Sequence, residues 1–156
     1  YRLDRVVFPR GVRGAMKPAT PADRALLIEW WEAFAIEALP DAPEERRNAE
    51  RGVDARLASS TSGVALWFVD DAPVSLAGFA GPTPNGIRVG PVYTPPALRG
   101  HGYASALVAA LSQRLLDDGR RFCFLFTNLA NPTSNGIYQQ IGYQPVVDVE
   151  QISFTR

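Results

Sequence analysis

Apolar residues recur with a helical period in the first third of the chain. A short strand is predicted just before this region, and Thr20 followed by Pro21 is typical of a helix start, with Asp23 in the first turn. The apolar positions that share one helix face are Leu26, Leu27, Trp30, Phe34 and Ala38, with Trp31 at the edge of that face. A second helix is predicted over residues 42–57, which are rich in charge and only weakly amphipathic, so we expect it at the surface.

The period then changes to that of β-strands. Residues 63–81 predict two strands joined by a hairpin turn at residues 70–73. Residues 85–96 predict a third strand, which Gly90 and Pro91 interrupt; because proline has no N–H for the ladder, this strand needs a bulge or a sheet edge. The remaining predicted elements are a helix from about residue 102 to 116, a strand at 121–126, a loop and helix within 128–145, and strands at 143–147 and 149–154.

The order of these elements predicts the fold class. Strands in hairpins come first, and strand, helix, strand, helix and strand follow. This order is typical of an α/β sandwich whose mostly antiparallel sheet turns parallel near its middle.

Length and charge narrow the domain organisation and the classes of partner. The 156 residues fit one domain, which we assign to residues 15–156. Residues 1–14 are interpreted as a charged connector, and since the chain opens on Tyr1, we expect it to be the later part of a longer protein. Because 16 Lys and Arg balance 16 Asp and Glu, no global charge favours nucleic acid or a membrane. No apolar run approaches the roughly 20 residues of a membrane span and no signal-peptide pattern is present, so we expect a cytoplasmic protein.

Cysteine and histidine are too few for a typical metal centre. Cys123 is the single cysteine and His101 the single histidine, which excludes an internal disulfide and argues against structural zinc. Cys123 lies in the apolar stretch FCFLF and is interpreted as a small buried residue of a strand. We therefore predict no metal.

The stretch PPALRGHGYASALVAAL places two glycines directly before a predicted helix. Gly100 and Gly102 allow the backbone to present its N–H groups where a helix leaves four donors unpaired. With the helix dipole and Arg99 beside it, this loop predicts a site for phosphate or pyrophosphate. A P-loop is excluded because no Gly-Lys-Ser/Thr follows, and the dinucleotide fingerprint fits poorly because Ser105 replaces its third glycine. By itself, a glycine pair is also compatible with a mere turn.

Two separated motifs carry a resemblance to a known family. The stretch VYTPPALRGHGYASAL resembles the acetyl-coenzyme A signature of the GCN5-related N-acetyltransferase (GNAT) family, Gln/Arg-x-x-Gly-x-Gly/Ala, through Arg99, Gly102 and Ala104. The later stretch NPTSNGIYQQIGY is similar to the second landmark of the family, an Asn followed by Tyr-x-x-x-Gly-Tyr. The resemblance covers nearly the whole chain after the connector.

The resemblance implies a fold and a cosubstrate. The fold would be α/β of GNAT type, a mixed and mostly antiparallel central sheet of about six to seven strands flanked by about four helices. Acetyl-CoA would lie in a cleft between two parallel strands that splay apart, with backbone groups of the bulged strand on its pantetheine and backbone amides of the glycine loop on its pyrophosphate. The cofactor-binding residues implied in this way are Val92, Tyr93, Thr94, Arg99, Gly100, His101, Gly102, Tyr103, Ala104, Ser105, Asn131 and Ser134.

The second motif places a phenol on a polar helix stripe. Asn131, Ser134, Asn135 and Tyr138 are three, four and seven residues apart and so share one side of a helix. The family match implies that Tyr138 is the general acid that protonates the departing thiolate. In the alternative interpretation, Asn131 only caps the helix and Tyr138 packs with its hydroxyl at the surface. Gly136 within this helix costs it about 1 kcal/mol relative to alanine.

The acceptor side has no motif of its own. The candidates for a catalytic base are Glu29, Glu32 and Glu37 of the first helix, or a water held by backbone carbonyls and Asn128, and we assign none of them. Since the first two helices often frame the acceptor in this family, the resemblance implies that Trp31 and Glu32 border the acceptor pocket.

The leading hypothesis is an acetyl-CoA-dependent N-acetyltransferase that transfers the acetyl group directly to an amine in a ternary complex. The acceptor would be a small molecule or a peptide, and a homodimer or a missing N-terminal domain would complete the protein. One alternative is a non-catalytic acyl-CoA-binding or regulatory domain of a larger, tandem protein. Another is an enzyme with a longer acyl donor than acetyl.

Overall fold

The computed structural model describes residues 1–150, and the predicted alternation of strands and helices is present there. The strands are β1 (Arg2–Leu3), β2 (Ala15–Pro18), β3 (Gly63–Val69), β4 (Ala72–Ala80), β5 (Gly86–Tyr93) and β6 (Phe122–Phe124). The helices are α1 (Arg24–Ala38), α2 (Pro43–Arg47), α3 (Ala49–Leu57), α4 (Tyr103–Asp117) and α5 (Pro132–Gln140).

All six strands form one sheet in the order β1-β6-β5-β4-β3-β2. Every neighbouring pair is antiparallel except β5 and β6, which are parallel. The predicted mixed sheet, mostly antiparallel with one parallel step near its middle, is therefore confirmed.

Local sequence fixes the β3–β4 hairpin and the interruption of β5. Asp70 and Asp71 both have positive φ angles, +49° and +63°, which is the backbone of a two-residue turn that matches strand twist. In β5, Val89 pairs with Phe79 and Val92 pairs with Ala77, so two residues of β5 oppose one residue of β4. This is the predicted bulge at Gly90 and Pro91.

The first helix begins as the sequence predicts, but its buried face differs from the predicted apolar face by a rotation about the helix axis. The backbone N–H of Thr20 donates to the Asp23 carboxylate at 2.8 Å, and a short 3₁₀ turn at Pro21–Asp23 precedes α1. The buried residues of α1 are Leu27, Trp30, Trp31 and Ala35, so Trp31 belongs to the core and Ala38 is exposed. The charged segment 42–57 forms two helices that meet at Asn48 rather than one.

The carboxyl-terminal strand predicted at 143–147 is absent from the described structure. Only an isolated bridge joins Gln144 to Arg2, because β1 occupies the position beside β6 at this edge of the sheet. The strand predicted at 149–154 lies mostly outside the described residues.

Residues 1–14, interpreted from sequence as a connector, contact the domain closely. Leu3 is 1% exposed, and its strand pairs with β6. The amino group of Tyr1 donates to the Leu125 carbonyl at 3.2 Å, and the Val7 N–H donates to the Ile141 carbonyl at 2.9 Å. This segment therefore contributes to the sheet and to its core.

Two hydrophobic clusters cover the two faces of the sheet. One contains Leu107 and Leu111 of α4 together with Ile87 and Cys123, and the other contains Trp30 and Leu27 of α1 with Val53 of α3. Cys123 is fully buried, and burial raises the pKa of its thiol to about 11. The helices within residues 1–150 are all too short or too polar to cross a membrane.

Candidate active site

A gap opens in the sheet where β5 and β6 part. The two strands pair only from Gly86 opposite Phe122 to Arg88 opposite Phe124. Beyond that point β5 continues to Tyr93 along β4. Leu125, which follows β6, is no longer paired with β5, and its N–H donates to the Tyr1 carbonyl at 3.0 Å. The carboxyl-terminal half of β5 therefore has a free edge toward the gap.

The glycine loop leads from this gap into α4. Gly100 and Gly102 have φ angles of +85° and +79°, in the left-handed region that favours glycine, and Gly102 is the N-cap of α4. No side chain caps the helix, and within residues 1–150 no acceptor bonds the backbone N–H groups of residues 100–105. Six consecutive amides at a helix N-terminus form a site for an anion.

Arg99 does not extend over these amides. Its Nε donates to the Thr94 carbonyl at 2.8 Å, and its Nη2 forms an ion pair with the Glu37 carboxylate at 2.6 Å. The guanidinium also lies 5.7 Å from the centre of the Tyr93 ring. Arg99 thereby ties the end of β5 to the last turn of α1. His101 is exposed and stacks on Tyr103, with 5.3 Å between the ring centres.

The end of β5 is held by contacts with β4 and with α1. The Ser75 hydroxyl lies 3.1 Å from the Tyr93 carbonyl and 2.9 Å from the Thr94 hydroxyl. The Tyr93 ring packs against Trp30 at 6.4 Å, and burial together with the charge of Glu37 raises the pKa of the Tyr93 phenol. These contacts fix the position of the free strand edge.

Sequence reasoning missed Trp30 as a neighbour of this site; it named Glu37 as a candidate base but not as the partner of Arg99. Trp30 and Glu37 are seven residues apart on α1 and so lie on one stripe of the helix, which is the signal that indicates a shared contact surface. Trp31, which the resemblance implies beside the acceptor, packs against α3, where the Arg56 guanidinium lies 4.5 Å from its ring centre. Glu32 is half-buried and forms no hydrogen bond or ion pair within the described residues.

The loop before α5 is closed by hydrogen bonds among asparagines. The Asn131 Oδ1 accepts from the Ser134 N–H at 3.1 Å and caps α5, as the alternative interpretation of this residue predicts. The Asn128 Oδ1 accepts from the Ala130 N–H at 2.9 Å, and the Asn135 Nδ2 donates to the Asn128 carbonyl at 3.2 Å. The oxygen of the Asn128 side chain is therefore used within its own loop.

Tyr138 and Tyr143 form an edge-to-face pair at 6.0 Å but differ in their hydroxyl contacts. The Tyr143 hydroxyl lies 2.8 Å from the Ser112 hydroxyl in the core. The Tyr138 hydroxyl forms no hydrogen bond within residues 1–150, and burial raises the pKa of this phenol to about 12. Tyr138 is thus a protonated phenol at neutral pH whose hydrogen is free to be donated.

Comparison with known proteins matches the chain to one family. The sequence model of the family described as Acetyltransferase (GNAT) family matches residues 24–143. A search of curated protein sequences finds no match to the chain.

Several solved structures share the fold. An aminoglycoside N-acetyltransferase, AAC(6')-Iy in complex with CoA, is 17% identical with a TM-score of 0.66, over 96% of this chain and 98% of that chain. A predicted acetyltransferase from Clostridium acetobutylicum with acetyl-CoA is 16% identical with a TM-score of 0.70, over 90% and 96%. A ribosomal-protein-alanine N-acetyltransferase from Brucella melitensis is 18% identical with a TM-score of 0.71, over 92% and 100%. At these identities the likeness is one of fold, and it confirms the fold predicted from the sequence.

Proposed function

The chain belongs to the GNAT acetyltransferase family, and on that premise we propose that it holds acetyl-CoA at the N-terminus of α4 and passes the acetyl group directly to an amine. Family membership confirms the class of enzyme that the sequence predicts, an acetyl-CoA-dependent N-acetyltransferase. The proposal adds the residues that perform each part of the reaction.

The observation that carries the proposal is the run of unpaired amides at residues 100–105 beside the open edge of β5. These amides would bind the pyrophosphate, and backbone groups of Val92 and the N–H of Thr94, at the open edge of β5, would bind the pantetheine amides. The proposed cofactor-binding set remains Val92, Tyr93, Thr94, Arg99, Gly100, His101, Gly102, Tyr103, Ala104, Ser105, Asn131 and Ser134.

Tyr138 is the proposed general acid. When the amine nitrogen attacks the acetyl carbonyl carbon, a C–N bond forms, the C–S bond breaks, and the sulfur leaves as a thiolate that requires a proton. A free thiol has a pKa near 8.5, so a phenol with a pKa of about 12 donates to it only where the thiolate is also desolvated. The half-buried Tyr138 phenol, which packs against the core, would meet that condition if it lies beside the leaving sulfur.

Glu37 is the proposed contact for the acceptor ammonium. Of the three glutamates considered from sequence, Glu37 alone is joined to the end of β5, through Arg99. The charges of Glu37 and, more weakly, Glu29 both raise the pKa of the Tyr93 phenol. The ammonium must lose a proton before the amine attacks. The Glu37 carboxylate would favour this loss, either by accepting the proton or by promoting its transfer to water.

The acceptor is proposed to be a small-molecule or peptide amine. The names of the solved relatives include an aminoglycoside acetyltransferase and a ribosomal-protein-alanine acetyltransferase, which shows that one fold serves both kinds of acceptor. The proposed location is the cytoplasm, as the sequence predicts.

The test is release of free CoA thiol from acetyl-CoA across a panel of amines, together with calorimetric binding of CoA. We expect amine-dependent thiol release and an acetylated amine in equal amounts. Binding of acetyl-CoA without thiol release for any amine would contradict the proposal and would favour the non-catalytic binding domain instead.

A further inference from the structure

Three phenylalanines beside the gap are only partly covered on one face of the sheet. Phe122, Phe124 and Phe126 follow each other at alternate positions, with 6.3 Å and 6.2 Å between successive ring centres. The residue between the first two, Cys123, points into the cluster formed with α4, so the three rings point to the face on which α1 and α3 pack. Phe126 is 55% exposed. We call these three residues the phenylalanine ladder.

Two arginines flank the ladder from the neighbouring strands. Arg2 of β1 and Arg88 of β5 both lie opposite Phe124 in the strand register. The Arg2 guanidinium lies 4.2 Å from the centre of the Phe122 ring, and the Arg88 guanidinium lies 4.9 Å from that of Phe126. Neither arginine forms an ion pair with a carboxylate of residues 1–150. The ladder therefore presents positive charge that the described chain does not neutralise.

Arg88 carries its charge toward the reaction site. Phe126 lies two residues beyond Phe124, the last residue of β6 that pairs with β5. Since Arg88 lies opposite Phe124 in the register and its guanidinium reaches the Phe126 ring, its charge is directed along the strands toward the gap. The charge is thus placed where the two strands have already parted.

Arg56 belongs to α3, which packs on the same face of the sheet, and its guanidinium lies over the Trp31 ring. Burial and the charge of Arg88 lower the pKa of Arg56, while Glu45 acts in the opposite direction. The Arg56 Nε is buried and has no hydrogen-bond partner among the described residues. Arg88 and Arg56 therefore both contribute positive charge on this face, and the Arg56 Nε has no hydrogen-bond acceptor among the described residues.

We infer that the amine acceptor of this enzyme carries an anionic group, a carboxylate or a phosphate, which Arg88 binds over the phenylalanine ladder. A guanidinium over an aromatic ring does not use its N–H groups on that ring, so its N–H fork can bind a carboxylate or a phosphate. The opposite end of the same region holds the carboxylate of Glu37, which suits the ammonium. The acceptor would then be a zwitterion, with its amine toward Tyr93 and its anion toward Arg88. This inference rests on the proposed function, because it concerns the acceptor of that reaction.

The test compares acceptors that differ only in charge. Omega-amino acids of increasing chain length are assayed against their amides, and amino alcohols against their phosphate esters, by thiol release and kcat/KM. We expect the anionic member of the best pair to be preferred by roughly 10- to 100-fold, the range for a hydrogen-bonded charge. The carboxylate and phosphate series show which anion is bound.

The variants make the inference specific to Arg88. Arg88→Gln should remove the preference for the anionic acceptor and leave kcat/KM for the amide nearly unchanged, and Arg88→Lys should keep part of the preference. Arg120→Gln is the matched control, because Arg120 contacts the Thr83 carbonyl in the loop before β5. Arg2→Gln should have a smaller effect than Arg88→Gln, since Arg2 lies on the Phe122 end of the ladder.

The outcomes separate this inference from the function on which it rests. Equal rates for both members of every pair, or an equal loss for both in Arg88→Gln, would overturn the inference while the acetyltransferase reaction stands. Thiol release with no amine at all would overturn both. A preference for anions that survives Arg88→Gln would also refute the role of this residue.

Discussion

The N-termini of α4 and α5 present opposite solutions to the same problem of unpaired helix donors. At α4 the N-cap is Gly102, which has no side chain, and the amides of residues 100–105 remain without acceptors in the described chain. At α5 the N-cap is Asn131, whose side-chain oxygen accepts from the Ser134 N–H. A helix start binds an external anion only where its donors are left free, so α4 suits the pyrophosphate and α5 does not.

Backbone groups act at the α4 N-terminus, whereas a side chain acts on α5. The α4 end contributes N–H groups, which depend on conformation, whereas α5 contributes the Tyr138 hydroxyl, which depends on residue type. Substitutions in the loop before α4 should therefore affect cosubstrate affinity, and substitution of Tyr138 on α5 should affect the rate of the chemical step.

The largest expected effect comes from Tyr138→Phe. Removal of the proposed acid should lower kcat by about 100-fold or more, which is typical of a general acid, and leave the CoA dissociation constant unchanged. Steady-state kinetics and calorimetry measure the two quantities. Because burial raises the pKa of Tyr138 to about 12, its ionisation should not reduce kcat anywhere below pH 10.

Tyr143→Phe is the matched control for this substitution. The Tyr143 hydroxyl bonds to Ser112 in the core, so its removal should lower the free energy of unfolding by about 1–3 kcal/mol with little change in kcat. A variant Tyr138→Phe with the full kcat of the native enzyme would contradict the proposed acid.

An intermediate effect is expected from Gly100→Val. The position has a φ angle of +85° and open space around its missing side chain, so valine would both strain the loop and project where the pyrophosphate binds. We expect CoA affinity to fall at least tenfold in calorimetric titration. Gly119→Val, at a φ angle of +104° after α4 and also in open space, is the control for strain alone. If both variants bound CoA equally well, the loop would not be the pyrophosphate site.

The smallest expected effect separates the cap of α5 from binding of the cosubstrate. Asn131→Asp keeps the capping oxygen but loses the Nδ2 donor, so stability should be unchanged while CoA affinity falls about threefold to tenfold. Asn131→Ala should lower affinity similarly and also cost about 1 kcal/mol of stability, measured by denaturant unfolding. Unchanged CoA affinity in Asn131→Asp would restrict this residue to capping.

Much of the fold could be predicted because its signals are local. The turn at Asp70 and Asp71 and the bulge at Gly90 and Pro91 follow from the backbone preferences of those residues, and both are confirmed. The strand expected at 143–147 is absent because the competing partner, β1, comes from the other end of the chain. Pairing between distant segments leaves no mark in the periodicity of either segment.

The same distinction applies to the candidate site. The glycine loop could be found from sequence because its function depends on the conformation of adjacent residues. The partners of Arg99 could not, since Glu37 lies 62 positions away on another element. Trp30 and Trp31 are adjacent in sequence with similar burial, and only the packing of α3 shows which one faces β5.

The burial of Cys123 also determines how cleanly the reaction can be followed. Its thiol is fully buried with a pKa of about 11, so almost none of it is the reactive thiolate at neutral pH. The folded protein should neither form a mixed disulfide with the CoA it releases nor consume a thiol-detecting dye. The colour of the dye would then report only the CoA that the enzyme releases. Slow reaction of one further thiol per protein molecule would indicate that the sheet around β6 unfolds and exposes Cys123.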